Sequence, residues 1–514
     1  MRTPNTQVLL ISALAAVAAG IAAPGAAAST GEAASAAPVG RAASAPQRPA
    51  LPFDVDGNGH PDLAVGTPGM RVGGAAAGGV VVLPAGSRGP SLRERVVVQT
   101  GTGVGAPGVG DRWGAALTSA DYNRDGFADL AVGSPGDDVA GAESAGAVTV
   151  LYGSAGGLDV ATATVIPSTR PAQAYTQFGS ALASGDLDGD GYPDLAIGAP
   201  GEVLQQRGDV DFVPTGTVTV LRGGADGITL AGSKVLRGSD ADSGFDVGFG
   251  AHLVTGDVDR NGDTDLVVGA RGIRFVDEGY PGGVTFCSGG SACTRLLQHS
   301  ELAGLTALAV GNVAAGTGGA PARLLEIAVG APNSREDDAG HVHLLRLRAS
   351  RGTVALAGRI KLGQSSAGVP GSSEVGDGFG SALALGDLDR DGWADLVIGA
   401  RSENGGKGRV TIVRGAASGW SRTGNRTLDQ DSRGVPGRAE TDDRFGWALS
   451  LRDHDRDGRL DLSVGAPGEN ADSGAVTLLR GGGRGLSSAD VRTVGLRSLG
   501  LPAPAESLFG ASLG

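Results

Sequence analysis

The sequence contains few aromatic residues, few lysines and almost no cysteine. Aromatic residues make up 4% of the chain, and Lys234, Lys361 and Lys407 are its only lysines. Long apolar stretches with helical period are absent after the N-terminal region, so no later segment is expected to span a bilayer. The net charge of −13 argues against a nucleic-acid-binding protein, because phosphates require a basic surface.

Glycine, by contrast, is abundant, with 92 of the 514 residues. It separates short apolar runs along the whole chain, a pattern typical of an all-β protein with many tight turns. A chain of this length usually forms several domains, but a repeat architecture can use it in one body.

The first 50 residues have the composition of a targeting segment followed by a linker. Arg2 precedes an apolar run over Val8–Ala19, and Ala26–Ala28 offers a small-residue cleavage pattern. We expect a signal peptide over residues 1–28, a disordered Ala/Ser/Pro-rich linker over 29–50 and the folded region over 51–514. The protein is therefore expected to be secreted, without a stable membrane span.

The two cysteines, Cys287 and Cys293, lie six positions apart in the segment CSGGSAC. For an exported chain this spacing favours a local disulfide across a hairpin loop. A metal or redox role would require partner residues, and none lies nearby in the sequence.

One long composite pattern recurs along the chain. It consists of FG, a small-residue strand, an acidic cluster, a strand ending in GAP or a variant, and a valine-rich strand; residues 178–200 read FGSALASGDLDGDGYPDLAIGAP. Six copies have a full acidic cluster, and these clusters begin at Asp54, Asp121, Asp186, Asp257, Asp387 and Asp453. A seventh, degenerate copy starts at Leu305 and has Asn312 at the matching position. Seven copies of this length suit the blades of a β-propeller.

The two ends of the folded region complement each other. The first copy has an acidic cluster without a preceding FG strand, and the last residues, from Phe509 to Gly514, are an FG strand without a cluster. Joined head to tail, they complete one blade. This arrangement would close the ring and leave no exposed sheet edge.

These residues resemble the FG-GAP repeat of integrin α-subunit propellers, over residues 53–514. The resemblance implies an all-β fold, a seven-bladed β-propeller that we expect to be closed by the C-terminal FG strand pairing with the N-terminal blade. It also implies calcium in the hairpin loops and a ligand-binding face opposite them.

The acidic clusters have the chemistry of calcium loops. Each has the form D-x-[DN]-x-[DN]-G-x-x-D, and Ca²⁺ prefers six to eight hard oxygen ligands. Positions 1, 3, 5 and 9 supply side chains, position 7 a backbone carbonyl, and the glycine at position 6 permits the sharp turn. Three or four carboxylates in one small loop would repel one another without a cation. About six bound Ca²⁺ ions would offset most of the net charge of −13.

The predicted ligands occupy these five positions in each of the six loops. They are Asp54, Asp56, Asn58, His60 and Asp62; Asp121, Asn123, Asp125, Phe127 and Asp129; Asp186, Asp188, Asp190, Tyr192 and Asp194; Asp257, Asp259, Asn261, Asp263 and Asp265; Asp387, Asp389, Asp391, Trp393 and Asp395; and Asp453, Asp455, Asp457, Arg459 and Asp461.

The EF-hand, the degenerate copy and a histidine pair are the other candidate metal sites. An EF-hand requires a glutamate at position 12, whereas position 12 of the third loop is Ile197, inside an apolar run. The degenerate copy has Glu326 at position 9 and no D-x-D pattern, so we expect it to bind no metal. His341 and His343 point to one side of a presumed strand and could hold zinc, but no third ligand is evident and a surface pair is preferred.

The function predicted from these patterns is binding. In an antiparallel meander the calcium loops share one face, and the longer connections after GAP and before FG share the other. We expect a calcium-binding extracellular adhesion module that is a monomer, recognises a protein or glycan through this second face and does not bind nucleic acid. The alternative is a secreted hydrolase, phospholipase D-like or other, with a site at the propeller channel.

Overall fold

The computed structural model describes residues 48–92, 96–98, 107–168, 172–203, 215–238, 246–274, 279–311, 325–332, 339–350, 353–416 and 419–514. The predicted signal peptide, residues 29–47 of the predicted linker, and Asn312 lie outside these ranges. Among the described residues, no helix has the length and apolarity needed to cross a bilayer.

The described strands form seven four-stranded antiparallel sheets, each the blade of a β-propeller. The predicted all-β, seven-bladed fold is confirmed. From the inner to the outer strand, the blades are Ser512–Leu513, Leu63–Gly66, Val80–Leu83 and Val96–Val98 (blade 1); Ala116–Ala120, Asp129–Ser134, Ala147–Tyr152 and Asp159–Pro167 (blade 2); Ala181–Gly185, Asp194–Ala199, Thr217–Arg222 and Thr229–Arg237 (blade 3); Phe249–Gly256, Asp265–Ala270, Gly282–Ser288 and Ala292–His299 (blade 4); Ala307–Gly311, Leu325–Ala331, His341–Ser350 and Thr353–Leu362 (blade 5); Phe379–Gly386, Asp395–Ala400, Arg409–Val413 and Arg426–Leu428 (blade 6); and Ala448–Arg452, Asp461–Ala466, Ala475–Leu479 and Arg492–Gly495 (blade 7).

Short elements decorate the blades. Two-residue strands pair as Arg71–Val72 with Ala75–Ala76, Ala85–Gly86 with Gly89–Pro90, Ile273–Arg274 with Gly279–Tyr280, Gly415–Ala416 with Gly419–Trp420, and Gly481–Gly482 with Gly485–Leu486. Single helical turns lie at Ser300–Leu302, Glu403–Gly406 and Glu469–Asp472.

The hydrophobic core is divided among the spaces between neighbouring blades, each of which holds its own cluster of buried side chains. Because each sheet is covered on both faces, the second strand of a blade is continuously buried and does not alternate. Asp194–Ala199, with the sequence DLAIGA, is buried at all six positions. Each fully buried aliphatic or aromatic side chain stabilises the fold by roughly 1.5–3 kcal/mol.

The glycine of the GAP segment is required by the distance between blades. A Cβ at Gly198 in blade 3 would lie 2.0 Å from the carbonyl oxygen of Gly250 in blade 4. The same approach recurs between Gly465 in blade 7 and Gly510 in the C-terminal segment, at 2.1 Å. Any larger residue would push neighbouring blades apart, so the repeated glycine follows from packing.

The C-terminal segment lies in blade 1. Leu513 pairs with Val65 and Ser512 with Gly66, and Phe509 is fully buried. The inner strands of neighbouring blades contact one another around the ring, including those of blades 7 and 1.

Candidate metal sites

The six acidic loops lead into the second strands of blades 1, 2, 3, 4, 6 and 7. In all of these blades except blade 1, the loop follows directly from the inner strand; the inner strand of blade 1 is the C-terminal segment Ser512–Leu513. The turns between third and outer strands lie beside them: Gly223 donates its N–H to Asp194 Oδ1 at 3.1 Å, and Gly224 donates to the Tyr122 carbonyl at 3.2 Å. We call this side of the propeller the acidic face. On the other side, connections after GAP contact those before FG, as in the hydrogen bond from Gly201 N–H to the Thr176 carbonyl at 3.1 Å. This side is the opposite face.

Each acidic loop is curled by two residues with positive φ. One is the glycine at position 6, as the sequence predicts, with φ between 84° and 97° in all six loops. The other, at position 4, was not predicted: besides Gly57 and Gly189, it is an arginine in four loops, namely Arg124, Arg260, Arg390 and Arg456. The left-handed conformation costs a side-chain-bearing residue roughly 1–2 kcal/mol, so the rest of the loop must hold it.

Part of this support comes from the loop's own aspartates. The position 1 carboxylate accepts the position 6 N–H, as Asp186 does from Gly191 at 2.9 Å. The position 9 carboxylate accepts two backbone N–H groups: Asp194 accepts from Leu187 at 3.2 Å and, as noted above, from Gly223. Position 9 therefore ties the loop to the end of the third strand.

The remaining carboxylate oxygens converge. In four loops, three carboxylates each place one oxygen within 4.8 Å of the other two: Asp186, Asp188 and Asp190; Asp257, Asp259 and Asp265; Asp387, Asp389 and Asp395; and Asp453, Asp455 and Asp457. Three of the six loops, those at Asp54, Asp121 and Asp257, have an asparagine in place of one aspartate. The Oδ1 atoms of Asp54, Asp186 and Asp257 are buried and have no hydrogen-bond partner among the described residues. A buried carboxylate oxygen without a donor is costly, and a divalent cation would satisfy it.

Burial also perturbs the loop carboxyls. It raises the pKa of the position 9 group in every acidic loop, with a further contribution from neighbouring carboxylates: to about 7 for Asp62, about 8 for Asp129, and about 6 for Asp194, Asp265, Asp395 and Asp461. A cation among these oxygens would favour the charged form and oppose the effect of burial. The donor set therefore fits a hard divalent ion. All the predicted ligands lie in described loops, and their role in binding Ca²⁺ stays a prediction.

Sequence reasoning missed three arginines at the end of third strands. They contact the position 3 aspartates, and the pairs are Arg222 with Asp188, Arg414 with Asp389, and Arg480 with Asp455. In all three pairs, the aspartate belongs to a loop with aspartates at all four of positions 1, 3, 5 and 9. The loops with an asparagine have Pro84, Tyr152 and Ser288 at the same strand position. The sequence signal that could have predicted these pairs is that every loop with these four aspartates has an arginine at this strand position.

The histidine pair lies elsewhere than expected. His341 and His343 are both fully buried, so the prediction of a surface pair is wrong. They belong to the third strand of blade 5, which neighbouring blades cover on both faces. In the degenerate copy, Glu326 faces Arg346, with Oε1 and Nε 3.3 Å apart; the loop before it lies outside the described residues. Cys287 and Cys293 form a disulfide between adjacent strands, with Cα atoms 4.0 Å apart.

Comparison with known proteins agrees with the repeat geometry. The FG-GAP repeat matches residues 46–83, 113–151, 178–221, 379–413 and 445–479. The chain contains FG-GAP repeats in these five places. The five matched segments contain the acidic loops of blades 1, 2, 3, 6 and 7; the assignment of the blade 4 loop rests on spacing and geometry.

Several curated proteins share part of this FG-GAP sequence. Phosphatidylinositol-glycan-specific phospholipase D of Bos taurus is 36% identical over 166 residues, which cover 31% of this chain and 18% of the bovine protein. Integrin alpha-V of Gallus gallus is 32% identical over 169 residues, covering 31% of this chain and 15% of the integrin. Integrin alpha-8 of Homo sapiens is 33% identical over 166 residues, covering 31% and 14%. The matched region thus spans less than a fifth of each relative.

A solved structure, an endo-arabinase from Bacteroides thetaiotaomicron, aligns with a TM-score of 0.28 and 15% identity, over 54% of this chain and 86% of that one. At this score the likeness carries no argument.

Proposed function

We propose that this FG-GAP protein is a calcium-loaded extracellular binding module. The observation that carries the proposal is the convergence of carboxylate oxygens in the acidic loops, including buried oxygens without a donor. Hard oxygens from one tight loop are what Ca²⁺ prefers. The similarity to integrin alpha chains supports divalent-cation binding in these loops.

The partner surface we propose is the opposite face. Its connections hold the three most exposed large hydrophobic residues of the described chain: Val375 (85% exposed), Val109 (83%) and Tyr175 (56%). Each lies three or four residues before the aromatic residue that begins a repeat, on a scaffold fixed by the blades. Exposed apolar side chains on a rigid frame suit recognition of a protein or glycan.

Calcium content tests the cation half of the proposal. The purified chain should hold about six Ca²⁺ ions by emission spectrometry, one per acidic loop. The double variant Asp188→Ala/Asp190→Ala should hold about five. Asp226→Ala, which removes an exposed carboxylate from a turn on the same face, is the control and should leave the content unchanged. A wild-type chain free of calcium in millimolar Ca²⁺ would contradict the assignment.

Thermal unfolding provides a second readout. Binding to the folded state alone stabilises it by roughly 2.7 kcal/mol per site when free Ca²⁺ is a hundred times the Kd. Excess chelator should therefore lower the Tm substantially, and an unchanged melt would count against calcium in these loops.

Binding to immobilised extracellular-matrix proteins and polysaccharides tests the partner half. We expect Ca²⁺-dependent retention on at least one surface, and we expect Val109→Ser/Val375→Ser to abolish it without changing the Tm. Retention that survives this variant would place the contact elsewhere.

The alternative of a hydrolase finds no specific support. In the described part of the chain, the inner strands that line the channel have only His252 and Arg452 as titratable side chains. The phospholipase D relatives match over 18% of their own length. We therefore propose no catalytic role.

A further inference from the structure

We propose that Glu301, His341 and His343 form a binding site for one transition-metal dication of the zinc type, separate from the acidic loops. The Nε2 atoms of His341 and His343 lie 2.9 Å apart. Glu301 Oε2 lies 3.3 Å from His343 Nε2, and the three potential ligand atoms fall within 4.8 Å of one another. This inference does not depend on the proposed function.

The fold presents these groups from two blades. His341 and His343 alternate along the third strand of blade 5, on the side where Leu345 and Leu347 pack against blade 4. Glu301 belongs to the helical turn Ser300–Leu302, which follows the outer strand of blade 4. The turn is anchored by Leu302, which is fully buried in the cluster between the two blades. The ligands are therefore held by rigid, packed elements.

Burial makes the cluster unusual. Both histidines have no exposed surface, and Glu301 is 6% exposed. Two imidazoles and a carboxylate are a common ligand set for zinc and related ions, with a fourth position open. A metal binds imidazole in its neutral form. Calcium would not select this set, because it prefers oxygen ligands.

The repeat itself does not require histidines here. At the position of His343 in the strand register, five other blades have a threonine and blade 1 has Val81; the threonines are Thr149, Thr219, Thr285, Thr411 and Thr477. His341 stands where other blades have glycine, alanine, threonine or arginine. Both departures from the repeat fall in one blade and meet one buried glutamate.

The surrounding charges define what a bound metal would encounter. Arg359 Nη1 lies 3.4 Å from Glu301 Oε2, and Lys361 Nζ lies 3.6 Å from Oε1. These cations can balance the glutamate without a metal, and the two Nε2 atoms of the histidines then hydrogen-bond to each other. A bound metal would replace that hydrogen bond. With a metal bound, they would favour an anionic fourth ligand, such as hydroxide.

Titration with Co²⁺ tests the site in the full chain, with excess Ca²⁺ to saturate the acidic loops. Cobalt bound by two imidazoles and a carboxylate has visible absorption bands, and Zn²⁺ should displace it. We expect one equivalent per chain. Because loss of a direct ligand should cost more than the roughly 10–100-fold typical of supporting residues, His343→Thr and Glu301→Gln should each weaken binding more than about a hundredfold.

The variants are chosen so that folding does not confound the result. His343→Thr introduces the residue that five other blades already have, and His252→Gln alters a partly buried histidine outside the cluster. His252→Gln should keep the cobalt spectrum. The absence of a one-equivalent spectrum in the wild type, or its survival in His343→Thr, would overturn the proposal. Should His343→Thr fail to fold, the wild-type titration and Glu301→Gln decide.

Discussion

The carboxyl groups of Asp443 and Glu469 are hydrogen-bonded to each other on the opposite face, where the connection before a repeat meets the connection after the GAP segment of the same repeat. Asp443 is 2% exposed, and the Gln430 side-chain amide donates a hydrogen bond to Glu469 Oε2. Two carboxyl groups in contact are most stable when they share one proton. Burial first, and then the charge of Glu469, raises the pKa of Asp443 to about 7.

This pair predicts that stability falls as the pH rises from about 5 to 8. Between its unfolded-state and folded-state pKa values, a carboxyl with a raised pKa binds more protons in the folded protein than in the unfolded chain. Its contribution to stability is therefore present below this pH range and is lost as the pH rises through it. Asp443→Asn keeps the hydrogen bond but cannot titrate. It should reduce the difference in unfolding free energy between about pH 5 and pH 8 by on the order of 1 kcal/mol. Urea unfolding in saturating Ca²⁺ at both pH values measures the difference.

The control is Asp442→Asn, which alters the exposed neighbour. It should reproduce the wild-type pH dependence, including any part that arises in the acidic loops. Equal slopes for the wild type and Asp443→Asn would show that the pair does not titrate in this range.

The contact between Arg222 and Asp188 predicts a dependence on calcium. In a loop with four aspartates the guanidinium offsets part of the repulsion, which matters most when no cation is bound. Arg222→Gln should lower the Tm in chelator, with a loss on the order of 1 kcal/mol because the arginine is partly exposed. In saturating Ca²⁺ the loss should be smaller. Arg237→Gln, an exposed arginine of the same blade, should show neither effect.

A larger loss with Ca²⁺ than without it would mean that Arg222 acts by orienting Asp188 toward the ion. The two outcomes differ in sign, so differential scanning calorimetry in chelator and in calcium separates them.

Much of the fold could be predicted from the sequence because the informative features are local. The acidic spacing and the glycine at position 6 recur in six of the seven copies, together with FG and GAP segments or close variants of them. Each repeat encodes one blade, and repetition encodes the ring.

What could not be predicted depends on contacts between blades. The left-handed Arg456 at position 4 donates to the Gly59 carbonyl of the next acidic loop at 2.8 Å, far away in sequence. His341 and His343 alternate as surface residues do, but their strand is covered on both sides. Glu301 belongs to another blade, so no spacing rule connects it with them.

The close approach of blades predicts a severe effect of one added methyl group. Gly198→Ala would place its Cβ 2.0 Å from the Gly250 carbonyl oxygen, and backbone atoms cannot move aside cheaply. We expect a loss of about 3 kcal/mol or more, in the range of other core overpacking changes. Gly358→Ala is the matched control: its added Cβ meets nothing within 4 Å, and its φ is ordinary. That change should be neutral or stabilising by up to about 1 kcal/mol.

Chemical denaturation with both variants measures this difference. Comparable stabilities for Gly198→Ala and Gly358→Ala would show that adjacent blades can separate freely, contrary to the packing described.

The last prediction concerns the C-terminal segment. Phe509 and Phe445 occupy equivalent positions, and both are fully buried. Phe445 lies inside the chain between blades 6 and 7, whereas Phe509 lies between blades 7 and 1. If the C-terminal strand completes blade 1, the two sites should be equally important. We expect Phe509→Ala and Phe445→Ala each to cost about 3–5 kcal/mol.

Urea unfolding in Ca²⁺ compares the two variants. A terminal strand that merely frays against blade 1 would make Phe509→Ala far milder than Phe445→Ala, by 2 kcal/mol or more on the scale of about 3–5 kcal/mol for a core phenylalanine. Equal losses would place Phe509 in the cooperative core, because removing a side chain affects global stability fully only when its segment unfolds together with the rest. The ring would then depend on its final six residues, Phe509–Gly514, as much as on any internal repeat.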